Sequence, residues 1–228
     1  MFTNVNLAAP LGVLSFLGIC FVLFVAALFL VYSIIRKTSW LKKLALVTIV
    51  AVSSLYLGVM LVFSFASSEK VLARGEEKHF CEIDCHLAYS ITNVQETKTF
   101  GHVPNQLVAG GQFWVVTIKT RFDENTISPK RGNSPLYPNS RVVAVLDENG
   151  TQYFPSQDAQ RIPTSSQAVS TPINTPLRPG ENYSTTFVFD LPLAVRKPTL
   201  LIREGELVTH FVIGHENSPL HRKTRFQL

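Results

Sequence analysis

Two uninterrupted apolar stretches lie at the start of the chain: Leu11 to Ile35, 25 residues without a charge, and Leu44 to Phe65, another 22. A helix rising about 1.5 Å per residue needs about 20 such residues to cross a hydrocarbon core. Both stretches are therefore predicted to be membrane-spanning helices. Past Phe65 the pattern changes to short runs rich in β-branched and aromatic residues, bounded by turn formers. Strands are predicted at 80–92, 112–122, 141–146, 151–154, 183–191, 199–203 and 207–213, with turns at Asn149-Gly150, Pro179-Gly180 and Glu204-Gly205. No amphipathic helix is predicted outside the apolar pair. Because strands do not alternate with helices, the fold class predicted is a two-helix transmembrane hairpin followed by an all-β antiparallel sandwich.

Charge orients this picture. From Met1 to Ile35 there is no Asp, Glu, Lys, Arg or His, whereas all sixteen acidic residues and all six histidines lie beyond Phe65. Arg36, Lys37, Lys42 and Lys43 crowd the segment 36–43, which leaves seventeen basic residues against sixteen acidic ones elsewhere. The formal +5 is thus mostly a loop property, and no basic stripe with interleaved aromatics suggests a nucleic-acid partner. Short loops rich in Lys and Arg stay in the cytoplasm. The sequence therefore predicts a multi-pass protein of a bacterial cytoplasmic membrane, with the N-terminus and the C-terminal domain outside. Spans at 11–35 and 44–65 form a hairpin unit, 1–65, followed by a linker, 66–79, a β-domain, 80–214, and a basic tail, 215–228. "LGIC", Leu17 to Cys20, resembles a lipoprotein processing box, but bulky Ile19 precedes the cysteine and the apolar run continues far past it, so Cys20 is expected to be a helix residue. Trp40 and Tyr32 suit interfacial anchoring, and Ser54 with Gly58 offers a place for close helix approach. No charge falls inside either span, which argues against an ion path through this chain alone.

Four stretches carry a resemblance: "GQFWVVTIKTRF", "AVLDENGTQYFP", "LRPGENYSTTFVFDLP" and "PTLLIREG". In order and spacing they resemble the immunoglobulin-like extracytoplasmic domain of unknown function found in bacterial membrane-anchored and lipoproteins. The likeness covers roughly Gly111 to Gly205 and rests on strand and turn chemistry. It implies a fold and a location, not a reaction. Two long loops, 123–140 and 155–179, and the helix hairpin are the surfaces through which other membrane-protein subunits would be met, alongside the lipid bilayer itself.

The stretch "HFCEIDCHLAYSI", His79 to Ile91, is where chemistry would lie, because it holds a Cys-x-x-x-Cys-His array. Read at period two, Cys81, Ile83, Cys85, Leu87, Tyr89 and Ile91 are all apolar and alternate with Glu82, Asp84, His86 and Ser90. That pattern predicts one half-buried strand with both thiols in the core and His86 on the solvent side. Residues four apart on a strand are about 13 Å apart, so the two cysteines would not bond to each other unless the strand were broken between them. A metal or haem site built on Cys81, Cys85 and His86 is the sharper alternative, since thiolate and imidazole suit copper and zinc. A covalent haem wants Cys-x-x-Cys-His, one residue shorter than the spacing here. Catalytic signatures such as Gly-x-Ser-x-Gly, His-Glu-x-x-His or a phosphate loop do not occur. The function expected is a membrane-anchored extracytoplasmic binding or structural module, an accessory subunit rather than an enzyme, with no cofactor; the alternative is a metal- or haem-carrying redox protein.

Overall fold

A computed structural model describes residues 8–80, 85–126, 132–162 and 170–228. Its chain forms two compact units, one comprising 7–68 with 207–222, the other 69–206 with 223–228.

The first unit is built on α1 (Ala8–Ile35) and α2 (Ser39–Ala66), each 28 residues long. The reversal between them takes three residues, because α1 ends in a Schellman turn: Lys37 adopts φ 54°, its N–H bonds the Ile34 carbonyl, and the Thr38 N–H bonds the Ser33 carbonyl. Trp40, Lys42 and Lys43 therefore stand on the first turn of α2 rather than in a loop. The outward surfaces are apolar, with Leu14, Phe21, Phe24, Leu55 and Phe65 among the exposed side chains. Close packing uses Ala26 and Ala45, which are buried and line one apolar groove. At Gly58, by contrast, nothing lies near enough to touch a Cβ, so the Ser54–Gly58 pair does not mark a close approach among the described residues.

The second unit is a β-domain of two sheets. One is ordered β1 (Lys70–Leu72), β9 (Thr224–Gln227), β8 (Thr199–Glu204), β5 (Arg141–Leu146), β6 (Gln152–Tyr153); the other is β2 (Lys78–Phe80), β3 (Leu87–Phe100), β4 (Leu107–Phe122), β7 (Asn182–Leu191). All pairings are antiparallel except β1 with β9. Tyr89, Ile91, Val116, Ile118 and Phe189 from one sheet share a core with Val145, Leu200, Ile202 and Phe226 from the other. The opposite face of the β3–β4–β7 sheet is covered as well: Phe100, Phe113, Val115 and Val188 pack with Ala159 of a single helical turn, α3 (Gln157–Gln160). Ser156 caps that turn by accepting from the Ala159 N–H.

Outside 80–92, three predicted segments differ. Part of the expected linker is structured, as β1 and the start of β2. The expected strand 207–213 is a 3-10 helix, Leu207–Phe211, within the helical unit. The expected basic tail holds β9, whose Phe226 is fully buried.

The turn motifs meet in space. The Asp190 carboxylate accepts the N–H groups of Gly110 and Gly111 at 2.8 and 2.9 Å. A Cβ on Gly111 would lie 2.0 Å from the Leu191 carbonyl oxygen, so only glycine fits there. Asp147 closes the β5–β6 hairpin by accepting from Asn149 N–H and Thr151 N–H, both at 2.8 Å, with Gly150 in the left-handed region at φ 81°. The long loops are pinned where described: Leu136 and Leu177 exchange two backbone hydrogen bonds, and Leu177 is buried.

A charged layer crosses the core between the sheets. Lys78 Nζ donates to the Ile202 carbonyl at 2.6 Å and sits 4.7 Å from the Phe80 ring centre. The Arg141 guanidinium lies 4.4 Å from that same ring, donates to Tyr89 Oη at 3.3 Å, and pairs with Glu204 at 3.6 Å. Breaking a buried pair by removing one partner costs about 3–5 kcal/mol, whereas an apolar replacement of both is often neutral. Arg141→Ala is therefore expected to lower unfolding free energy by about that amount, and Arg141→Met with Glu204→Leu to recover most of it, measured by denaturant titration of the two variants. Gly111→Ala is expected to cost about 1–3 kcal/mol by overpacking in the same assay.

Candidate functional site at the cysteine turn

β2 ends at Phe80 and β3 begins at Leu87, so the predicted continuous strand is interrupted between them. The interruption has a local cause: Cys85 adopts φ 55°, a left-handed conformation no strand accommodates. β2 and β3 then pair antiparallel, Phe80 opposite Leu87 and Lys78 opposite Tyr89. Leu87, Tyr89 and Ile91 are buried as expected, but Ala88 and Ser90 between them are buried as well, so this end of β3 is covered on both faces and is not the half-buried strand its alternation predicts.

Cys85 is disulfide-bonded and fully buried. The chain has three cysteines, and Cys20, exposed on α1, is free. Cys81, Glu82, Ile83 and Asp84 lie outside the described residues. Of the two expected core thiols, Cys85 is buried as predicted but oxidised, and Cys81 falls outside the described residues.

His86 does not face solvent. It is 1% exposed, stacked on Phe122 with ring centres 4.6 Å apart. Its Nδ1 lies 2.6 Å from the Asp123 carbonyl oxygen, which only accepts, so Nδ1 carries the proton. Thr126 Oγ1 lies 3.0 Å from Nδ1 and 3.4 Å from Nε2. The imidazole is therefore held by the start of the 123–140 loop, and it is a bracket for that loop rather than an open ligand.

Sequence reading missed the polar cluster beside it. Arg121, at the end of β4, makes a two-pronged pair with Glu77 through Nε at 2.8 Å and Nη2 at 2.7 Å. Its Nη1 reaches Asp123 Oδ1 at 3.4 Å, while Asp123 Oδ2 lies 2.9 Å from His79 Nε2. Asp123 also accepts from the Asn125 N–H. The Arg121 hydrogen bonds hold Glu77 below the usual carboxylate range against an opposing effect of burial. Burial pushes Asp123 up, but the Asn125 N–H, His79 and Arg121 together outweigh it and hold that carboxyl low as well. Arg121 itself is pushed further up by Glu77. The alternation of Arg121 and Asp123 about Phe122 puts the two charges on one side of β4, a signal present in the sequence but indistinguishable there from a solvated face.

What the arrangement can do is limited by its own pairing. Each carboxylate is engaged with the guanidinium, so the cluster acts as an ionic clasp. Among the described residues no group of three or more His, Cys, Asp and Glu side chains is placed to hold a metal. Cys85 in its oxidised form offers no thiolate.

No family model matches the chain, and no curated protein matches it. Among solved structures it is similar to the secreted protein MPT63 of Mycobacterium tuberculosis, at 12% identity over 71% of this chain and 98% of that one, with a TM-score of 0.41. It is also similar to a conserved hypothetical protein of Bacillus anthracis, at 16% identity over 57% and 89%, and to the yjhA protein of Bacillus subtilis, at 11% identity over 69% and 99%, each with a TM-score of 0.41. At that level the likeness carries no functional weight.

Two outcomes are expected from this geometry. Alkylation of denatured, unreduced protein should modify one cysteine, Cys20, and reduction should expose the other two; modification of all three without reductant would contradict the cystine. Glu77 and Asp123 titrate lower in the folded chain than in the unfolded one, so their stabilisation is present above about pH 4–5 and is lost as pH falls through their folded values. In a Glu77→Gln, Asp123→Asn double variant, stability between about pH 5 and pH 2 should fall less steeply than in the parent protein, as read by thermal melts across that range.

Proposed function

We propose that this chain is a membrane-anchored, extracytoplasmic immunoglobulin-like module that works by binding or scaffolding, as an accessory subunit of a membrane assembly, and that it carries out no reaction of its own. The observation that carries the reading is the surface of the helical pair: only 6% of the apolar stretch of either helix is buried, leaving Leu, Phe, Val and Ile side chains outward along their length. A core helix of a water-soluble protein buries such a surface, and a bilayer solvates it. Two further features support an outward domain. The four cations at the α1–α2 reversal favour a cytoplasmic turn, and the Cys85 disulfide suits an oxidising compartment.

The immunoglobulin-like reading draws on two mainly antiparallel sheets sharing one core. The Glu77–Arg121–Asp123 ion-paired cluster and the segments joined at Leu136 and Leu177 supply a surface of the kind a protein partner recognises, and the helix hairpin supplies a second contact within the membrane. The metal- or haem-carrying alternative is weakened by the oxidised state of Cys85.

Reporter fusions test the topology. A reporter joined after Leu228 is expected to be active only outside the cytoplasm, and one inserted at Thr38 only inside; the reverse pair of results would invert the anchor. Elemental analysis and a visible spectrum of protein purified from native membrane are expected to show no stoichiometric copper, zinc or haem, and finding one would replace the binding reading with the redox one.

A further inference from the structure

Residues 207–222 form a strap that belongs to the helical pair. The Tyr56 hydroxyl donates to the Phe211 carbonyl at 2.6 Å, and the Arg222 N–H donates to Ser67 Oγ at 2.8 Å. A Cβ on Gly12 would lie 2.5 Å from the Ile213 carbonyl oxygen, so the strap presses against α1 where only glycine gives room. Four large apolar side chains of this segment nonetheless point away from its packing: Leu207 is 74% exposed, Val208 56%, Phe211 49% and Leu220 66%.

We infer that this strap is a lipid-binding element seated in the outer leaflet, its apolar side chains in the acyl region and its basic end at the headgroups. The inference rests on the membrane reading of the two helices. Depth is the first argument. The apolar run ending at Phe65 matches a hydrocarbon core of about 30 Å, and Tyr56 stands nine residues, about 13 Å, inside its outer end. Gly12 is the second residue of the other run, at the outer boundary. The strap therefore lies alongside lipid-facing helix surface, continuous with it, and not beyond the helix ends. Polarity is the second argument: Leu207, Val208 and Phe211 are at the Tyr56 end, where His210 is turned back onto the Leu207 carbonyl, while His221 and Arg222, with Leu220 beside them, are at the Ser67 end, where α2 has finished. That order follows the gradient from acyl chain to phosphate.

Backbone accounting is the third. Irregular chain at membrane depth must satisfy its own polar groups. Successive turns do this for much of the strap: Val212 N–H to Thr209 O, His215 N–H to Val212 O, Ser218 N–H to His215 O and His221 N–H to Ser218 O. Ser218 Oγ adds a bond to the Val212 carbonyl, and Asn217 Nδ2 one to Thr209 Oγ1.

The test uses full-length protein carrying Cys20→Ser, which leaves the cystine in place, reconstituted in phosphatidylethanolamine–phosphatidylglycerol vesicles. A thiol-reactive fluorophore is attached in turn at Phe211→Cys, Val208→Cys, Val50→Cys on the exposed face of α2, and Val103→Cys, which is 83% exposed in the β-domain. Labels at 211 and 208 are expected to resemble the one at 50, with several-fold stronger quenching by nitroxide-bearing phospholipid than at 103 and several-fold weaker quenching by aqueous iodide. If 211 and 208 behave like 103 while 50 is lipid-quenched, the helices are in the bilayer and the strap is not, and the inference fails alone. Escape of 211 and 208 from both quenchers would mean that a protein surface covers them, which also overturns it. A label at 50 that behaves like 103 would sink the membrane reading and the strap with it.

Discussion

The β-domain turns on two cations buried around one aromatic ring. Lys78 and Arg141 approach Phe80 from different sheets, Lys78 from β2 and Arg141 from β5. A ring face attracts cations, and each cation spends its remaining donors on the other sheet or on a core tyrosine. Lys78 bonds a β8 carbonyl, and Arg141 reaches Tyr89 on β3 and Glu204 on β8. Apolar contact between sheets tolerates sliding, because it is roughly proportional to area and has no direction. Hydrogen bonds of this kind tolerate none, and so they fix how the two sheets register across the core. Phe80 is also the last residue of β2, opposite Leu87 at the start of β3, which ties that end of the β2–β3 pair to the same layer.

Much of this architecture was legible in sequence, for reasons that differ by element. Twenty-five uncharged residues admit few readings, and α1 follows. β5, β7 and β8 appear within a residue of their predicted bounds, because their alternation is flanked by Asn-Gly, Pro-Gly and Glu-Gly signals. The failures share a cause: a local pattern that tertiary contacts overrule. Leu207 to Ile213 has strand composition, yet it meets the helices instead of a sheet edge and winds into a 3-10 turn. Thr224 to Gln227 looks like part of a solvated basic tail because Phe226 is its single large apolar residue, and the order comes from pairing with β1 and β8.

The cysteine segment is the instructive case. Six apolar residues at every second position are what a strand requires, but the facing ends of two paired strands, β2 and β3, are compatible with the same spacing. Leu87, Tyr89 and Ile91 obey the pattern; Cys85, in a left-handed conformation, breaks it. The companion cluster of Glu77, His79, Arg121 and Asp123 was invisible for another reason, since its members are 44 residues apart in chain and no spacing rule joins them.

The pairing of β1 with β9 bears on how the domain is made. Lys70, just after the helical pair, is in register with Thr224, and Phe226 fills the core only when β9 arrives. During synthesis from the N-terminus, the sheet containing β1, β5 and β8 therefore waits with an open slot until β9 has emerged. A strand edge and an empty core position stay exposed over that interval. The vulnerable period of this domain lasts until β9 has joined β1 and β8, and quality control acting on this protein has most to act on before then.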